Sequence, residues 1–394
     1  MTYATRKHPK ILLISAKHYL MAELIAGCQA LGLEHAYLFL GGISSAAELE
    51  EKLRAEVNRF APDFLLTMNH LGLDREGLVS EFCRQRELPL LSWFVDRPDL
   101  FLPQYSNLDN PCLAYAVWDA DAVKPLTDAG YGAAFHLPLA ADLSRIHFVP
   151  DALPLRDAAF VGNSMHSATE KCWALSAQPD KLRGFWEDVA GEFAASDVRD
   201  LPEFVGRDNP EGKRLRESCE PSPRAALDSF VYWRATQLHR LKCMQALLPF
   251  EPVVAGDQHW RPLLGDASWI HAGPLHYYSD LPDFYRSTKV NFNTTSMQMK
   301  GALNQRVFDV PASGGFLLTD YRAQLPAAFD MGREVVCYHA VEEIGDLVRH
   351  YLANPSKRLE IARRARARIE KEHSYAHRMA TICENMKRMF GTPA

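Results

Sequence analysis

The stretch KVNFNTTSMQMKGALNQRVFDVPASGGFLLTD, residues 289–320, contains the pattern that decides the fold. It predicts a strand that ends near Asn293, a polar loop, a helix that opens at Gly301, and a second strand at FLLT. Apolar residues recur at helical spacing within the predicted helix, and Gly314 and Gly315 follow as its stop. Strands without polar alternation on either side of a helix are typical of a parallel sheet covered by helices.

The same alternation of short apolar runs and amphipathic stretches fills most of the chain. KILLIS (10–15) predicts a buried strand, and residues 19–31 predict a helix that Gly32 ends. Further strand candidates follow at HAYLFL, DFLLTM, LPLLSWFV, LAYAVW, AAFHLPL, AAFVGNS and PVVAG. The predicted fold class is therefore α/β, with two Rossmann-like, doubly wound parallel sheets that face a cleft between domains.

Residues 165–247 break this alternation and predict a helical insertion. They contain long polar–apolar helical patterns and several tryptophans, with a proline-rich interruption at 220–223. We expect an N-terminal Rossmann-like domain over residues 1–150 and a C-terminal one over 151–374 that includes this insertion. The last segment, 375–394, predicts a helix that packs back on the N-terminal domain.

Composition excludes several broad classes of protein. The 394 residues are 47% hydrophobic and 24% charged with a net charge of −5, so we expect two packed cores and no binding to nucleic acid. Eight cysteines spread singly favour a cytoplasmic protein with reduced thiols over a zinc site. No apolar run approaches the ~20 residues of a membrane span. The basic helix at 357–373 favours a solvated surface, although peripheral membrane association stays open.

The loop and helix around Gly301 suit a diphosphate ligand. A helix start offers unpaired backbone N–H groups, and Lys300 and Arg306 could share the charge of an anion there. Asp309, farther along the same helix, could accept hydrogen bonds from a ribose diol. The alternative is a helix that is amphipathic for packing, with Arg306 and Asp309 as an i,i+3 ion pair. The local pattern alone leaves both interpretations open.

Several motifs in this chain resemble a known family. RVFDVPASGGFLLTD (306–320) resembles the donor-site helix of group 1 glycosyltransferases, especially the CgeB-like (spore maturation protein) branch. HSYAHR (373–378) resembles the C-terminal end of that branch. TMNHLGL (67–73), SWFVDRP (92–98), HLPLAAD (136–142) and FVGNSM (160–165) resemble its amino-terminal half. The resemblance covers most of the chain except roughly residues 166–245.

This resemblance implies a GT-B fold, with the acceptor bound by the N-terminal domain and a nucleotide-sugar by the C-terminal one. Asp309 matches the second glutamate of the E-x7-E motif of the wider superfamily, which is associated with the ribose. The first glutamate would fall near Gly301, where this chain has no acid. The resemblance therefore implies a ribose contact but no carboxylate beside the sugar ring.

Polar or small residues follow several predicted strands, where parallel sheets bind ligands. If the mechanism inverts the configuration of the sugar, a base must deprotonate the acceptor hydroxyl, and His70 and Asp96 are the candidates, although Asp96 could instead pair with Arg97. Gly162 would let the backbone approach a phosphate, although an ordinary turn explains it equally well. The full set of candidate donor-binding residues is Lys300, Asn304, Arg306, Asp309, Gly314, Gly162, Asn163, Gly256 and His276.

The predicted function is a glycosyltransferase of the hexosyltransferase type. It would move a sugar from a nucleotide diphosphate sugar to an acceptor hydroxyl on a glycan, a protein or a small molecule. We expect no metal and no further cofactor. The alternatives are a nucleotide-sugar epimerase or hydrolase on the same fold, or a non-catalytic envelope or spore-layer binding protein.

Overall fold

The computed structural model describes residues 8–146 and 154–391, which divide into two units. Unit 1 contains Met1–Ser144 and Glu372–Ala394, and unit 2 contains Arg145–Lys371. The predicted boundary between residues 150 and 151 lies outside the described residues. The chain returns to unit 1 at Glu372, slightly before the predicted residue 375. Over the described ranges, no helix combines the length and apolar character that crossing a membrane requires.

Unit 1 is built on a parallel sheet that is buried at its centre. Its strands lie in the order β2-β1-β3-β4-β5-β6, and all neighbouring pairs are parallel. Strands β1, β3, β4 and β5 are buried along their whole length, which explains why their runs lack polar alternation. The elements are β1 (Ile11–Ser15), α1 (Met21–Ala30), β2 (His35–Phe39), α2 (Ala46–Phe60), β3 (Phe64–Met68), α3 (Leu78–Gln85), β4 (Leu90–Phe94), β5 (Leu113–Val117), α4 (Val123–Asp128) and β6 (Ala133–His136).

Unit 2 repeats this design with a layer of helices added after its first strand. Its sheet has the order β12-β11-β10-β7-β8-β9 and is again parallel. The elements are β7 (Arg156–Val161), α5 (His166–Leu175), α6 (Arg183–Ala195), α7 (Leu201–Asp208), α8 (Pro210–Glu217), α9 (Pro221–Leu247), β8 (Val253–Ala255), α10 (Trp260–Leu264), β9 (Ile270–His271), α11 (Leu281–Arg286), β10 (Thr288–Phe292), α12 (Arg306–Ala312), β11 (Leu317–Asp320), α13 (Leu325–Ala328), β12 (Val336–Tyr338), α14 (Ile344–Ala353) and α15 (Pro355–Glu372). The two parallel sheets confirm the predicted fold class.

The direction of strand addition reverses at β7 in unit 2. β8 pairs on one side of β7 and β10 on the other, so the crevice at their carboxyl ends is the topological switch point of the sheet. Ligands of open α/β sheets bind in such crevices because the loops diverge there. Residues after Val161 and Phe292 therefore line the favoured ligand position of unit 2.

Helices α5–α9 form the predicted helical segment. The expected interruption at 220–223 is instead the first turn of α9, with Pro221 at its first position. Proline is tolerated there because the first helical N–H groups have no partner within the helix. α9 is 27 residues long and buries Thr236, Arg240 and Cys243 together with many apolar residues.

The C-terminal helix, Tyr375–Phe390, packs in unit 1 against α1. A Cβ at Gly27 would lie 2.8 Å from both Met379 Cγ and the carbonyl oxygen of Tyr375, so only glycine allows this approach. The buried guanidinium of Arg378 donates to the carbonyl oxygens of Pro138 (2.8 Å) and Leu139 (2.9 Å). These bonds join the end of the chain to the segment that follows β6.

Lys300 joins the helical layer to the rest of unit 2. Its buried ammonium donates to the carbonyl oxygens of Phe193, Ser196 (3.0 Å) and Val198 (2.9 Å), at and beyond the C-terminal end of α6. A cation is favourable at that end because the last helical carbonyls lack partners within the helix. Burial nevertheless lowers the pKa of Lys300 to about 7, with the charge of Arg322 as a lesser cause.

We predict that Arg378→Met lowers the free energy of unfolding of unit 1 by about 2–4 kcal/mol, because buried carbonyl groups lose a charged donor. Arg388→Met is the matched control on the same helix, since its side chain is exposed and donates to Asn385 nearby in sequence. Urea unfolding of both variants measures the difference. Equal losses in the two variants would refute a special role for Arg378.

We predict that the Lys300→Met substitution changes how stability depends on pH. A folded-state pKa of about 7 lies below the usual lysine value of 10.5, so the unfolded chain binds more protons between these values. Stability of the natural protein relative to Lys300→Met should therefore rise with pH from 7 toward 10.5. Urea unfolding at pH 7, 8 and 9 tests this, and a pH-independent difference would contradict it.

Candidate functional site

The loop of residues 293–305, between β10 and α12, crosses the carboxyl edge of the unit 2 sheet almost without regular structure. Residues 293–304 are buried, so the backbone needs hydrogen-bond partners from elsewhere. The N–H group and hydroxyl of Thr295 donate to Asp320 at 2.9 and 2.8 Å, and the N–H group of Met297 donates to the hydroxyl of Thr236 at 2.9 Å. Burial raises the pKa of Asp320, but Arg322 and Thr295 lower it below its usual value overall. Asp320 is thus an ionised anchor for the loop.

The helix after this loop starts later than the sequence predicts. α12 begins at Arg306 rather than Gly301 and has seven residues. The N–H groups of Val307, Phe308 and Asp309 donate to the carbonyl groups of Asn304 and Gln305. The expectation of unpaired amides at the helix start was therefore wrong for these three groups. Any anion bound here must be held mainly by side chains.

Arg306 lies at the switch point beside the turn that follows β7. Its Nε donates to Asn293 Oδ1 at 2.7 Å, and the side-chain amide of Asn304 donates to the same oxygen at 3.1 Å. A Cβ at Gly162 would lie 3.7 Å from a terminal nitrogen of Arg306. A Cβ at Gly256 would lie 2.3 Å from the carbonyl oxygen of Gly162, so the two backbones are in direct contact. The tertiary structure thus brings Gly162, Gly256, Asn304 and Arg306 together.

A second buried cation, Arg240, was missed by the sequence analysis. It projects from α9, is 6% exposed, and donates to the carbonyl oxygen of Asn163 at 2.7 Å. Its Nε has no hydrogen-bond partner in the described part of the chain. Burial, followed by the nearby charge of Arg306, lowers the pKa of Arg240 to about 9. The available signal was a charged residue on the buried stripe of an amphipathic helix.

Arg240 and Arg306, called here the arginine pair, place two cations at this turn, and the carboxylates of Asp257, Asp309 and Asp320 offset their charge only in part. The buried guanidinium of Arg240 lies near the half-buried one of Arg306, and burial is the main cause that lowers the pKa of each. An unmatched buried N–H donor costs about 1–3 kcal/mol, more when it is charged. The side-chain oxygen of Asn304 is also buried without a partner in the described residues. An anion with several oxygen acceptors would satisfy the arginine pair.

Asp309 lies one helical turn beyond Arg306 and is 3% exposed. One carboxylate oxygen accepts from the Tyr277 hydroxyl at 2.6 Å, and the other accepts from the Gln305 amide at 2.7 Å. Tyr277 belongs to the loop between β9 and α11. The helix thus presents Asp309 with both oxygens already in contact with protein donors.

Three other predicted donor-binding residues have contacts of a different kind. Lys300 bonds the carbonyl groups at and beyond the end of α6. Gly314 has a φ of 81° and its N–H group donates to Pro311, so it ends α12 in the left-handed region. His276 is exposed, and its backbone N–H donates to Asp280. None of these contacts involves the arginine pair.

In unit 1, the predicted catalytic residues lie after β3 and β4 and differ sharply in exposure. The ring of His70 is fully buried, its Nδ1 lies 2.7 Å from Ser92 Oγ, and burial lowers its pKa to about 3. A ring so placed cannot contact an acceptor hydroxyl in this conformation. Asp96 is half-buried, and one of its oxygens accepts from the Asn69 amide at 2.9 Å. Asn69 also accepts from the N–H group of Val95 at 2.8 Å, so it fixes this loop.

Unit 1 also contains a cavity of about 410 Å³ beside the carboxyl ends of β1, β2 and β3. Its lining is mixed, with apolar side chains and a few polar ones. The lining residues that define it are Ala16, Leu40, Ile43, Leu49, Leu71 and Asp74. Among the described residues no group of three or more His, Cys, Asp or Glu side chains is arranged to hold a metal ion.

Comparisons with known proteins bear on the fold and the family of this chain. Residues 240–384 match a family model described as "Glycosyl transferase-like". No curated protein matches the sequence significantly. Sucrose-phosphate synthase from Thermosynechococcus elongatus is 11% identical, with a TM-score of 0.54 over 98% of this chain and 99% of that one.

Two similar structures were solved with nucleotide sugars or their parts. HepE of Anabaena, in complex with UDP and glucose, is 10% identical with a TM-score of 0.52 over 97% of this chain and all of that one. T4 phage BGT, in complex with UDP-glucose, is 10% identical with a TM-score of 0.54 over 97% of this chain and all of that one. The chain therefore has the GT-B fold of glycosyltransferases, and its residues 240–384 match the glycosyl transferase-like family.

Proposed function

We propose that this protein transfers a sugar from a nucleotide diphosphate sugar to an acceptor hydroxyl. The GT-B fold and the family match over residues 240–384 support this reaction class. The observation that carries the proposal is the arginine pair at the switch point of unit 2, next to the turn at Gly162 and Asn163. The structures of HepE and T4 phage BGT, which contain UDP or UDP-glucose, support a nucleoside diphosphate as the anion.

In this proposal the arginine pair binds the diphosphate. Guanidinium groups form short, charge-assisted hydrogen bonds to phosphate oxygens, which are stronger than neutral ones. The unsatisfied Nε of Arg240 supplies one such donor. When the sugar leaves, negative charge grows on the diphosphate. The arginine pair stabilises that charge from fixed positions, so little reorganisation is needed during the reaction.

The position of the diphosphate also indicates where the other parts of the donor bind. Asp309 lies one helical turn beyond Arg306, and we place the ribose beside it. Gly162 and Gly256 have no side chains, so the backbone at the ends of β7 and β8 can approach the nucleotide closely. Lys300 is assigned to the helical layer instead of the phosphates, because carbonyl oxygens surround its ammonium.

We assign the acceptor to unit 1, with Asp96 as the general base. The cavity of about 410 Å³ at the carboxyl ends of β1–β3 has room for a sugar-sized group, and Asp96, which is not among its lining residues, follows β4, the strand next to β3. Asp96 is held by Asn69 and is partly open to solvent, whereas His70 is fully buried. Asp96 is therefore the better candidate to remove the proton of an attacking hydroxyl. We also propose a hexose as the transferred sugar and membership of the CgeB-like branch.

We predict that Arg240→Met weakens binding of nucleoside diphosphate roughly 10- to 100-fold, since a hydrogen bond from a charged group contributes about 1.5–3 kcal/mol. The same substitution should leave the ligand-free melting temperature unchanged or raise it, because it removes a buried cation. A thermal-shift screen with UDP, GDP, ADP and CDP, followed by calorimetry, measures both effects.

The matched control for Arg240 is Arg349→Met, an exposed cation on α14 whose loss should change neither quantity. Unchanged affinity in Arg240→Met would remove the arginine pair from the site. Absence of any shift with all four nucleotides would overturn the proposed function itself.

We predict that Asp96→Asn lowers kcat by roughly 100-fold or more while nucleoside diphosphate affinity stays unchanged, because a general base acts only in the chemical step. Asp99→Asn, an exposed neighbour paired with Arg97, is the control and should retain activity. Release of nucleoside diphosphate from sugar donors is measured with a panel of saccharide and phenolic acceptors. Full activity of Asp96→Asn would exclude this residue as the base.

The same assay separates the proposed transfer from other chemistry. Acceptor-dependent release of nucleoside diphosphate supports a transferase. Release without acceptor identifies a hydrolase, and interconversion of donor sugars identifies an epimerase. Donor binding without any turnover identifies a binding protein, and each of these three results overturns the proposed reaction.

A further inference from the structure

The contact between Tyr277 and Asp309 changes what unit 2 offers to a ribose. Asp309 is almost completely buried, and protein donors reach both of its oxygens. Tyr277 is half-buried and lies on a connecting loop, so it is the more accessible member of the pair. Because protein donors already occupy both carboxylate oxygens, a ligand at this position is expected to contact the Tyr277 hydroxyl.

The direction of this hydrogen bond decides what the phenolic oxygen of Tyr277 can offer to a ligand. The phenol donates its proton to Asp309 at 2.6 Å, and a phenolic oxygen keeps acceptor capacity after it donates. A carboxylate partner also polarises the hydroxyl, which strengthens the oxygen as an acceptor. A ribose hydroxyl is a neutral donor that can form a hydrogen bond to this phenolic oxygen.

The loop that carries Tyr277 is connected to the phosphate site. The N–H group of Gly256 donates to the carbonyl oxygen of Gly273 at 3.0 Å, four residues before Tyr277. Gly256 in turn touches Gly162, the turn next to the arginine pair. At its other end the loop is closed by bonds between His276 and Asp280 at 2.9 and 3.0 Å. Tyr277 is thus held at the same edge of the sheet as the proposed diphosphate.

We infer that Tyr277 is the specificity-determining residue for the ribose, which it binds through a hydroxyl oriented by Asp309. This inference rests on the proposed function. In it, Asp309 acts mainly as a positioning residue and Tyr277 contacts the nucleotide. A site built to bond a substrate hydroxyl discriminates strongly against the analogue that lacks it, because the protein group is left unpaired.

The test compares nucleotides that differ by one hydroxyl. Affinities are measured by calorimetry for the best-binding nucleoside diphosphate of the screen and for its 2′-deoxy and 3′-deoxy forms. The natural protein should bind at least one deoxy form more weakly than the ribonucleotide, by about 10-fold or more, because one hydrogen bond to a polarised group is lost. In Tyr277→Phe the ratio of the two affinities should fall to about threefold or less, because the ribonucleotide binds more weakly.

Two further variants make the outcome decisive. Tyr278→Phe keeps a tyrosine at 277 and changes an exposed neighbour that stacks on Arg145, so it should retain the full preference. Asp309→Asn removes the anionic acceptor of Tyr277 and should reduce the preference as well. Circular dichroism and the ligand-free melting temperature confirm that each variant is folded.

Three results would overturn the inference while leaving the proposed function intact. The natural protein could bind ribo and deoxy forms equally, or Tyr277→Phe could keep the full preference. Tighter binding of the ribonucleotide by Tyr277→Phe would instead show that the phenol competes with the ribose for Asp309. Failure of the natural protein to bind any of the four nucleotides overturns the proposed function and the ribose assignment together.

Discussion

The buried loop of residues 293–305 is the constraint on which the arrangement of unit 2 depends. An irregular segment cannot satisfy its own N–H and C=O groups, so when it is buried other elements must supply partners. Asp320 and Thr236 supply them for Thr295 and Met297, and Lys300 returns a bond to the carbonyls beyond α6. The helical layer, the loop and the carboxyl ends of β10 and β11 are thereby fixed as one network. The position of Arg306 beside Gly162 is a consequence of that network.

The same constraint explains the unusual concentration of buried charge. Burial lowers the pKa values of Arg240, Lys300 and Arg306, of which the first two are buried and the third is half-buried. Lys300 is compensated by carbonyl oxygens and serves the architecture. Arg240 donates to the carbonyl group of Asn163, and its Nε has no hydrogen-bond partner among the described residues. Buried charge of the second kind lowers stability and is what a site for an anion requires. Lys300 therefore has a structural role, whereas Arg240 has a proposed role in binding.

Several expectations from the sequence depended on local geometry that tertiary contacts changed. The apolar stripe from Leu303 onward has helical spacing, yet residues 301–304 are held outside the helix and α12 starts at Arg306. The prolines at 220–223 looked like an interruption and instead start the longest helix of the described chain. His70 follows a strand as a catalytic residue would, but its backbone has a φ of 58° and its ring turns inward onto Ser92. For residues 301–304 and His70, long-range contacts that a window of sequence does not contain outweighed the local pattern. The prolines are tolerated for a local reason, because they lie in the first turn of α9.

The pattern of the sequence by itself predicted the two parallel α/β sheets, and the resemblance of its motifs to a known family implied the GT-B fold. Uninterrupted apolar runs such as KILLIS need cover on both faces, and that requirement is local enough to be read from the chain. The sequence also identified Gly162, Asn304, Arg306 and Asp309 as candidate donor-binding residues, because they lie in contiguous motifs. Only the tertiary structure decided that Arg240 joins them, that Lys300 serves α6, and that Tyr277 covers Asp309. Those pairings join residues 32 to 107 positions apart, and which distant side chains meet is settled by packing of the whole unit.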